Sequence, residues 1–291
     1  MFPTEAKGIA PAKINLALHV GGRRSDGLHR LASLVVFTQY GDQIQIRSGN
    51  GLSLEVSGPF REHVPDDGSN LVLRAAALIA DGRGAAIALC KRIPAAAGLG
   101  GGSSDAAEVL RLLTGFWNEP LPSHDALMDL GADVPACLAA CPAIVEGAGE
   151  LVSPVDCVPN LHFVLVNPGV PISTGSVFRA FDGTGIPVLK PPPDQCSVSE
   201  FVSWLAVQRN DLEAVAVGME PEIGRVLDRI RQLPGCLFAR MSGSGATCFG
   251  IFVGTDEAGE AARWLGSENP AWWVEATAST PFSGPAVSCS G

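Results

Sequence analysis

From Ala10 to Val20 the chain reads APAKINLALHV, an alternation that puts Lys13, Asn15, Ala17 and His19 on one face of a strand and Ile14, Leu16 and Leu18 on the other. Lys13 and Asn15 therefore face something polar, and the plain alternative is the solvated outer face of an edge strand. Further along, Ala85–Lys91 (AAIALCK) is the short apolar run of a buried strand, and Ala106–Leu113 (AAEVLRLL) has helical apolar spacing at Ala106, Val109, Leu110 and Leu113. Between them lies Pro94–Ala107, PAAAGLGGGSSDAA, so a glycine-rich loop opens a helix. Asn118, Glu119 and Pro120 read as the turn that follows it. A third glycine cluster, within Ala239–Phe252 (ARMSGSGATCFGIF), falls between two strand-like runs and predicts a tight backbone crossing that could close over a ligand.

Two prolines interrupt the apolar pattern at Val152–Pro159 (VSPVDCVP), which places a domain boundary there: residues 1–152, then residues 153–291. The stretch Lys190–Pro193 (KPPP) reads as a stiff surface loop within the second half.

Four glycines within five residues, Gly98 and Gly100–Gly102, exceed what a simple turn needs. Glycines let the backbone approach a polyanion without Cβ clashes, and the unpaired N–H groups and dipole of a helix N-terminus attract negative charge. Ser103, Ser104 and Asp105 are expected to cap that helix. Two familiar nucleotide loops fail the test: no lysine follows the glycines as a P-loop requires, and the last position of the Rossmann pattern is occupied by Ser103. A flexible capped turn is the alternative to a phosphate cradle.

At 291 residues, 46% hydrophobic and 17% charged, the chain is long enough for two domains with a sizeable core. The net charge of −10 argues against a nucleic-acid surface, which needs clustered Lys and Arg. No apolar run reaches the ~18 residues of a membrane span and the N-terminus does not read as a signal peptide, so a cytoplasmic protein without a membrane partner is expected. The eight cysteines are scattered without a CxxC pair, which predicts neither a disulfide framework nor a zinc site but mostly small buried side chains.

Of the 20 basic residues only Lys7, Lys13, Lys91 and Lys190 are lysines, so Lys13 stands out in its apolar setting. Asp133 stands out in the same way, lying in LGADVP (Leu130–Pro135) without a basic neighbour in sequence. Its alternative role is a helix cap or a turn.

Taken together, PAKIN (Pro11–Asn15), IPAAAGLGGGSSDAA (Ile93–Ala107) and MSGSGAT (Met241–Thr247) resemble, in order, the three motifs of the GHMP kinase superfamily. The segments Gly22–Ile44, Leu130–Leu138, Asn167–Phe178 and Asn210–Glu213 narrow the resemblance to a branch that phosphorylates the 2-hydroxyl of a cytidine-diphosphate-linked methylerythritol, in the non-mevalonate route to isoprenoids. The resemblance covers about residues 9–253 and implies an α+β, two-domain GHMP kinase fold with its active site in the cleft between the domains.

It further implies ATP and Mg²⁺ as co-substrate and cofactor. Asp133 is the expected general base and Lys13 the cation that holds it ionised and steadies the transition state. Pro94, Ala95, Ala96, Ala97, Gly98, Leu99, Gly100, Gly101, Gly102, Ser103 and Ser104 would wrap the triphosphate, with Ser104 a candidate Mg²⁺ ligand and Asn70 and Lys91 beside the adenosine. On the acceptor side the resemblance assigns Asn15 to the reacting hydroxyl, His29 to the cytosine edge, and Thr174 and Phe178 to the cytidine pocket. His29 has a plain alternative as a satisfied histidine, and Phe178, with Phe181, as core at helical spacing.

The chain departs from the family at Leu28, where an aromatic usually precedes the histidine, in a short helix before LGADVP, and in the tail after Glu268. Trp272 and Trp273 in that tail cover either a core edge or a partner surface. Two rival readings are another small-alcohol kinase of the superfamily, such as homoserine kinase, and a non-catalytic protein that kept the fold.

Overall fold

Two long strands run through most of the architecture of this computed structural model, which describes residues 4–281. β1 (Glu5–Arg23) and β2 (His29–Gly49) pair with one another, and both faces of β1 are buried from Ala10 to Gly21. The polar face of the alternation is thus enclosed, and the edge-strand alternative for Lys13 and Asn15 is set aside. The fold is α+β. Backbone contacts divide it into two compact units that share these strands: residues 1–13, 40–95 and 100–140 form the first, and residues 14–39, 96–99 and 141–291 the second. This is a division by contact, whereas the boundary expected at residues 152–159 is a single cut along the sequence.

In the first unit, the second half of β2 pairs antiparallel with β4 (Gly84–Cys90), and β4 pairs in parallel with β3 (Leu52–Ser57). Helices α1 (Leu71–Ala80), α2 (Gly101–Trp117), α3 (His124–Leu130) and α4 (Val134–Ala139) complete it. The predicted stripe on α2 is buried at Ala106, Val109, Leu110 and Leu113, and α1 and α4 pack against this helix. Its C-cap Asn118 takes the left-handed conformation at the predicted turn.

One local expectation is corrected. Residues Ser103, Ser104 and Asp105 lie inside the first turns of α2, whose N-cap is Gly100, so none of them caps it. The glycine's left-handed backbone (φ 63°) turns the chain into the helix without a side-chain bond.

In the second unit, the first half of β2 pairs antiparallel with β5 (Ala143–Gly147), which pairs with β6 (Leu151–Pro154). A separate antiparallel sheet has the order β10–β7–β9–β8, formed by Trp273–Ala278, His162–Asn167, Cys248–Phe252 and Cys236–Met241. The five helices α5 (Thr174–Ala180), α6 (Val198–Ala206), α7 (Glu213–Met219), α8 (Pro221–Arg231) and α9 (Thr255–Glu268) belong to this unit. α8 buries Ile223, Val226, Leu227 and Ile230 at helical spacing in a core with Val164, Val166, Phe252 and Leu265.

The tail is therefore structural as far as residue 281: β10 adds an edge strand to β7, and Trp272 packs on the core while its Nε1 donates to Glu222 Oε1 at 3.3 Å. The rest of the tail lies outside the described residues. Lys190–Pro193 is loop, as read. The cysteine expectation needs correcting: among the described residues Cys137 and Cys248 are buried, while Cys90, Cys141, Cys157, Cys196 and Cys236 are partly exposed, all free. None of the described helices is long and apolar enough to cross a membrane.

His19, on the buried polar face of β1, is held within the second unit. Its Nδ1–H donates to Val188 O at 2.8 Å, and its Nε2 accepts from Arg209 N at 3.4 Å. Burial lowers its pKa from the ordinary 6.5. The unfolded chain therefore takes up the proton more readily, and the stabilisation is complete above about pH 6.5 and lost as pH falls below it. Urea denaturation at pH 7 and pH 5 is expected to show a loss of stability that is smaller in His19→Gln; equal losses in the two proteins would remove His19 as a cause.

Candidate active site

Lys13 lies at the middle of β1 with its ammonium buried, and a buried charge in a strand needs a partner. Nζ donates to Asp133 Oδ1 at 2.6 Å, so the two residues singled out from distant parts of the sequence form one ion pair. Asp133 occupies the N-cap position of α4 but makes no side-chain cap bond there. Its carboxylate is turned to Lys13 and stays 43% exposed, which leaves an oxygen accessible to a ligand. The capping alternative is thereby set aside.

Gly100, the residue that turns the glycine loop into α2, lies against this pair: a Cβ built on it would come 3.2 Å from Lys13 Cε and 3.8 Å from Asp133 Oδ2. A larger side chain, at a left-handed φ, would crowd the ammonium. The helix N-terminus is thus brought beside the ion pair within the first unit. Ser104, expected as a metal ligand, is fully buried and donates its hydroxyl to Pro11 O at 2.7 Å, a structural task that fixes α2 to β1. Among the described residues no three His, Cys, Asp or Glu side chains gather to hold a metal ion.

The side chains of Asn70 and Lys91 are also spent inside the first unit. Asn70 caps α1 by accepting from Val72 N at 2.9 Å and donates to Pro65 O at 2.5 Å. The Lys91 ammonium is buried between Asp42 and Asp105. Any contact they offer an adenosine is through backbone or aliphatic surface.

In the second unit, Ser242 of the third glycine cluster joins residues from all three motifs. Its Oγ accepts from Asn15 N at 3.1 Å and donates to Gly98 O at 2.9 Å, and Thr247 N donates to Ala97 O at 3.1 Å. The crossing predicted from sequence is real: it connects β8 to β9, with Gly243 and Gly245 at positive φ. Gly98 is obligatory by contact, because a Cβ there would meet Ser242 O at 2.4 Å. Asn210 supports the same turn, donating to Met241 O at 2.9 Å and Gly243 O at 2.8 Å. Asn15 donates through Nδ2 to Ser33 Oγ at 2.8 Å, and the Ser33 hydroxyl passes on to Ala17 O at 2.7 Å.

The expected acceptor residues also fall in the second unit. Thr174 Oγ1 and Ser244 Oγ share a hydrogen bond of 2.8 Å. The His29 ring lies 5.6 Å from Phe178 and 5.9 Å from Phe181, centroid to centroid. His29 is satisfied, with Nδ1–H donating to Gly21 O at 2.9 Å and Nε2 accepting from Arg23 Nε at 3.2 Å, so its ring offers no free polar atom to a base edge. Leu28 beside it is 52% exposed.

The sequence reading missed Ser242, Asn210, Ser33 and Asp42, and gave Asp105 a different task. For Asp42 there was a signal: like Asp133, it is a carboxylate with no charged neighbour in its stretch, YGDQIQI. The hydroxyls of Ser33 and Ser242 carry no such signature, because serine is common on any surface.

Ser242→Ala is expected to cost about 1–3 kcal/mol of stability, because it leaves a buried N–H at residue 15 without its acceptor and the Gly98 carbonyl without its donor. Guanidinium denaturation of the variant checks this, and a change within about 0.3 kcal/mol would mean that water takes over both contacts.

Comparison with known proteins gives the family of the chain. The model of the GHMP kinases N terminal domain matches residues 70–142, and that of the GHMP kinases C terminal matches residues 197–270. A 4-diphosphocytidyl-2-C-methyl-D-erythritol kinase of Jannaschia sp. is 49% identical over 268 residues, 92% of this chain and 95% of the relative. One of Cereibacter sphaeroides is 46% identical over 276 residues, 93% and 97% of the two chains. A crystal structure of a 4-(cytidine 5'-diphospho)-2C-methyl-D-erythritol kinase superposes with a TM-score of 0.75 at 33% identity, over 94% of this chain and all (100%) of that one. Homoserine kinase from Cytophaga hutchinsonii shares the fold with a TM-score of 0.67 at 16% identity, over 96% of this chain and 95% of that one. By sequence over nearly its whole length, the chain belongs to the 4-diphosphocytidyl-2-C-methyl-D-erythritol kinase family of the GHMP kinases.

Proposed function

We propose that this kinase transfers the γ-phosphoryl group of ATP to the 2-hydroxyl of 4-diphosphocytidyl-2-C-methyl-D-erythritol, a step of non-mevalonate isoprenoid synthesis, with Asp133 and Lys13 as the catalytic pair. The observation that carries this reading is the 2.6 Å contact of Lys13 with a half-exposed Asp133, beside the glycine that opens α2.

Phosphoryl transfer needs little covalent chemistry from the protein beyond positioning and charge stabilisation. The Asp133 carboxylate accepts the proton of the acceptor hydroxyl. The hydroxyl oxygen forms its bond to the γ-phosphorus as the bond to the β,γ-bridging oxygen breaks, and ADP leaves with that electron pair. The Lys13 ammonium, already aimed at Asp133, faces the charge that spreads over the transferred group. Residues Pro94–Ser104 hold the triphosphate through backbone N–H groups and the N-terminus of α2, whose 17 residues give it a full helix dipole.

No protein cage for a metal exists among the described residues, and Mg²⁺ commonly rides on substrate phosphates with few protein ligands. Bound in that way, next to the Pro94–Ser104 loop, it would supply charge neutralisation for the phosphates.

On the acceptor side, we assign Asn15 to the reacting hydroxyl and Thr174 with Phe178 to the cytidine pocket, where the Phe178 ring beside His29 gives an apolar face for cytosine. Since both ring nitrogens of His29 are engaged, we assign it to holding Phe178 and the backbone rather than reading the base with its imidazole.

The reading is tested by an ADP-release assay across a panel of alcohols. Turnover with the cytidine-diphosphate-linked methylerythritol and none with homoserine is expected; the reverse would assign the chain to another acceptor. Asp133→Asn is expected to bind ATP normally and to lose ~10²–10⁴ in kcat, as for a positioned general base. Retention of more than about a third of kcat would make Asp133 structural. Lys13→Ala is expected to lower kcat more than it raises KM for ATP, since its interaction strengthens as charge spreads. A raised KM with unchanged kcat would reassign Lys13 to ground-state binding.

A further inference from the structure

Behind the glycine loop, the first unit encloses three ionisable side chains that the proposed chemistry does not use. Lys91, immediately after β4, directs its buried ammonium to Asp42 Oδ2 of β2 and, at 2.5 Å, to Asp105 Oδ2 in the first turns of α2. Three side chains from three elements thus meet under the start of one helix. A Cβ on Gly101, the first residue of α2, would lie 3.5 Å from Lys91 Nζ and 3.7 Å from Asp42 Oδ2. The ammonium and its Asp42 partner therefore both lie immediately behind the backbone that opens the helix.

The two carboxyl groups are not equivalent. Asp42 is saturated: besides Lys91, its Oδ1 accepts from Arg92 N at 2.5 Å and Ile93 N at 2.9 Å. It anchors the ammonium to the strand end from which the loop leaves. Asp105 has one anchored oxygen, while its buried Oδ1 has no hydrogen-bond partner. Burial pushes Asp105 up to about 8, opposed by Lys91 and reinforced by Asp42, so it is mostly protonated at neutral pH and gains its negative charge as pH rises through that value. The buried thiol of Cys137 on α4, influenced by Asp133 and Lys13 more than by Asp105, is pushed up to about 12, chiefly by burial, so it contributes no charge there.

A helix N-terminus attracts anions through partial charges confined to its first turn, and a full charge a few ångström behind it changes that attraction directly. We propose that Asp42, Lys91 and Asp105 form a charge-setting cluster for the loop: Asp42 fixes the Lys91 ammonium behind Gly101 to favour a bound polyphosphate, and Asp105 partly offsets that charge. This rests on the reading of Pro94–Ser104 as the triphosphate cradle. Lys91 thus acts on the phosphates through the loop instead of on the base, and Lys91 and Asp105 are positioning residues.

Calorimetric titration of ATP and of adenosine separates the two ideas. In the wild-type protein ATP is expected to bind more tightly than adenosine; equal affinities would sink the cradle itself. In Lys91→Met, Kd for ATP is expected to rise about tenfold, a loss of roughly 1.4 kcal/mol, with adenosine unchanged and KM for ATP rising more than kcat falls. A parallel loss for adenosine would place Lys91 at the base and overturn the cluster's role, and unchanged ATP binding would reduce it to a core ion pair. Lys91→Met uncovers two buried acids and can fail to fold, so Asp105→Asn gives the second arm. It keeps the volume and an acceptor for the ammonium and, with ATP titrated at about pH 9, where Asp105 is ionised, is expected to tighten ATP by ~2- to 5-fold through removal of the opposing charge. If Asp105→Asn leaves ATP affinity unchanged or weakens it, the proposal is wrong even though the cradle stands.

Discussion

An ammonium buried inside a β-strand is tolerable only if a carboxylate meets it, and the arrangement of the candidate site follows from that demand at Lys13. Lys13 cannot reach water through the wall of β1, so Asp133 must come to it, and the start of α4 is placed where its carboxylate makes the 2.6 Å contact. Asp133 then gives up the cap bond that its position at the end of a helix would ordinarily allow. The glycine at residue 100 is the third consequence, since any side chain there would press on the Lys13 stem. A pair that is closed toward the core and open on the Asp133 side suits a base that must receive a proton from outside.

The same constraint is solved differently at Lys91. Both its partners are buried, each Asp42 oxygen is hydrogen-bonded, and the unpartnered oxygen is left on Asp105. Lys13 and Lys91 thus occupy opposite ends of one design choice: one charge pair exposed enough to do chemistry, one enclosed enough only to shape its surroundings. Their positions on either side of the start of α2 make that helix terminus the electrostatic focus of the first unit.

In the second unit backbone groups take the place of charges. Ser242 and Asn210 satisfy the carbonyls and amides of a glycine turn that has no regular ladder of its own, and they do so with residues 15, 98, 241 and 243. Because buried backbone polar groups must be paired, a turn this tight fixes the strand and loop that it bonds. His29 and Phe178, proposed for the acceptor side, form an aromatic group with Phe181 in which both His29 ring nitrogens are already used, so what the group presents is surface shape and apolar area.

Much of this was legible in the sequence. The alternation at Ala10–Val20, the apolar run before the glycines and the helical stripe after them are local patterns with periods of two and 3.6, and they determined β1, β4 and α2. Lys13 and Asp133 were legible for a related reason: a lone charge in an apolar stretch has few explanations other than a placed partner. The family resemblance depended on the same short segments. What only the tertiary structure decided is who meets whom across the chain. Pairing Lys13 with Asp133, 120 residues apart, or Ser242 with Asn15 and Gly98, is a property of strand register and helix placement that no local window contains. Ser104 and Asp105 show the limit most clearly, because their types suit a cap, and only the packing of α2 against β1 and β4 turned one to Pro11 O and the other to Lys91.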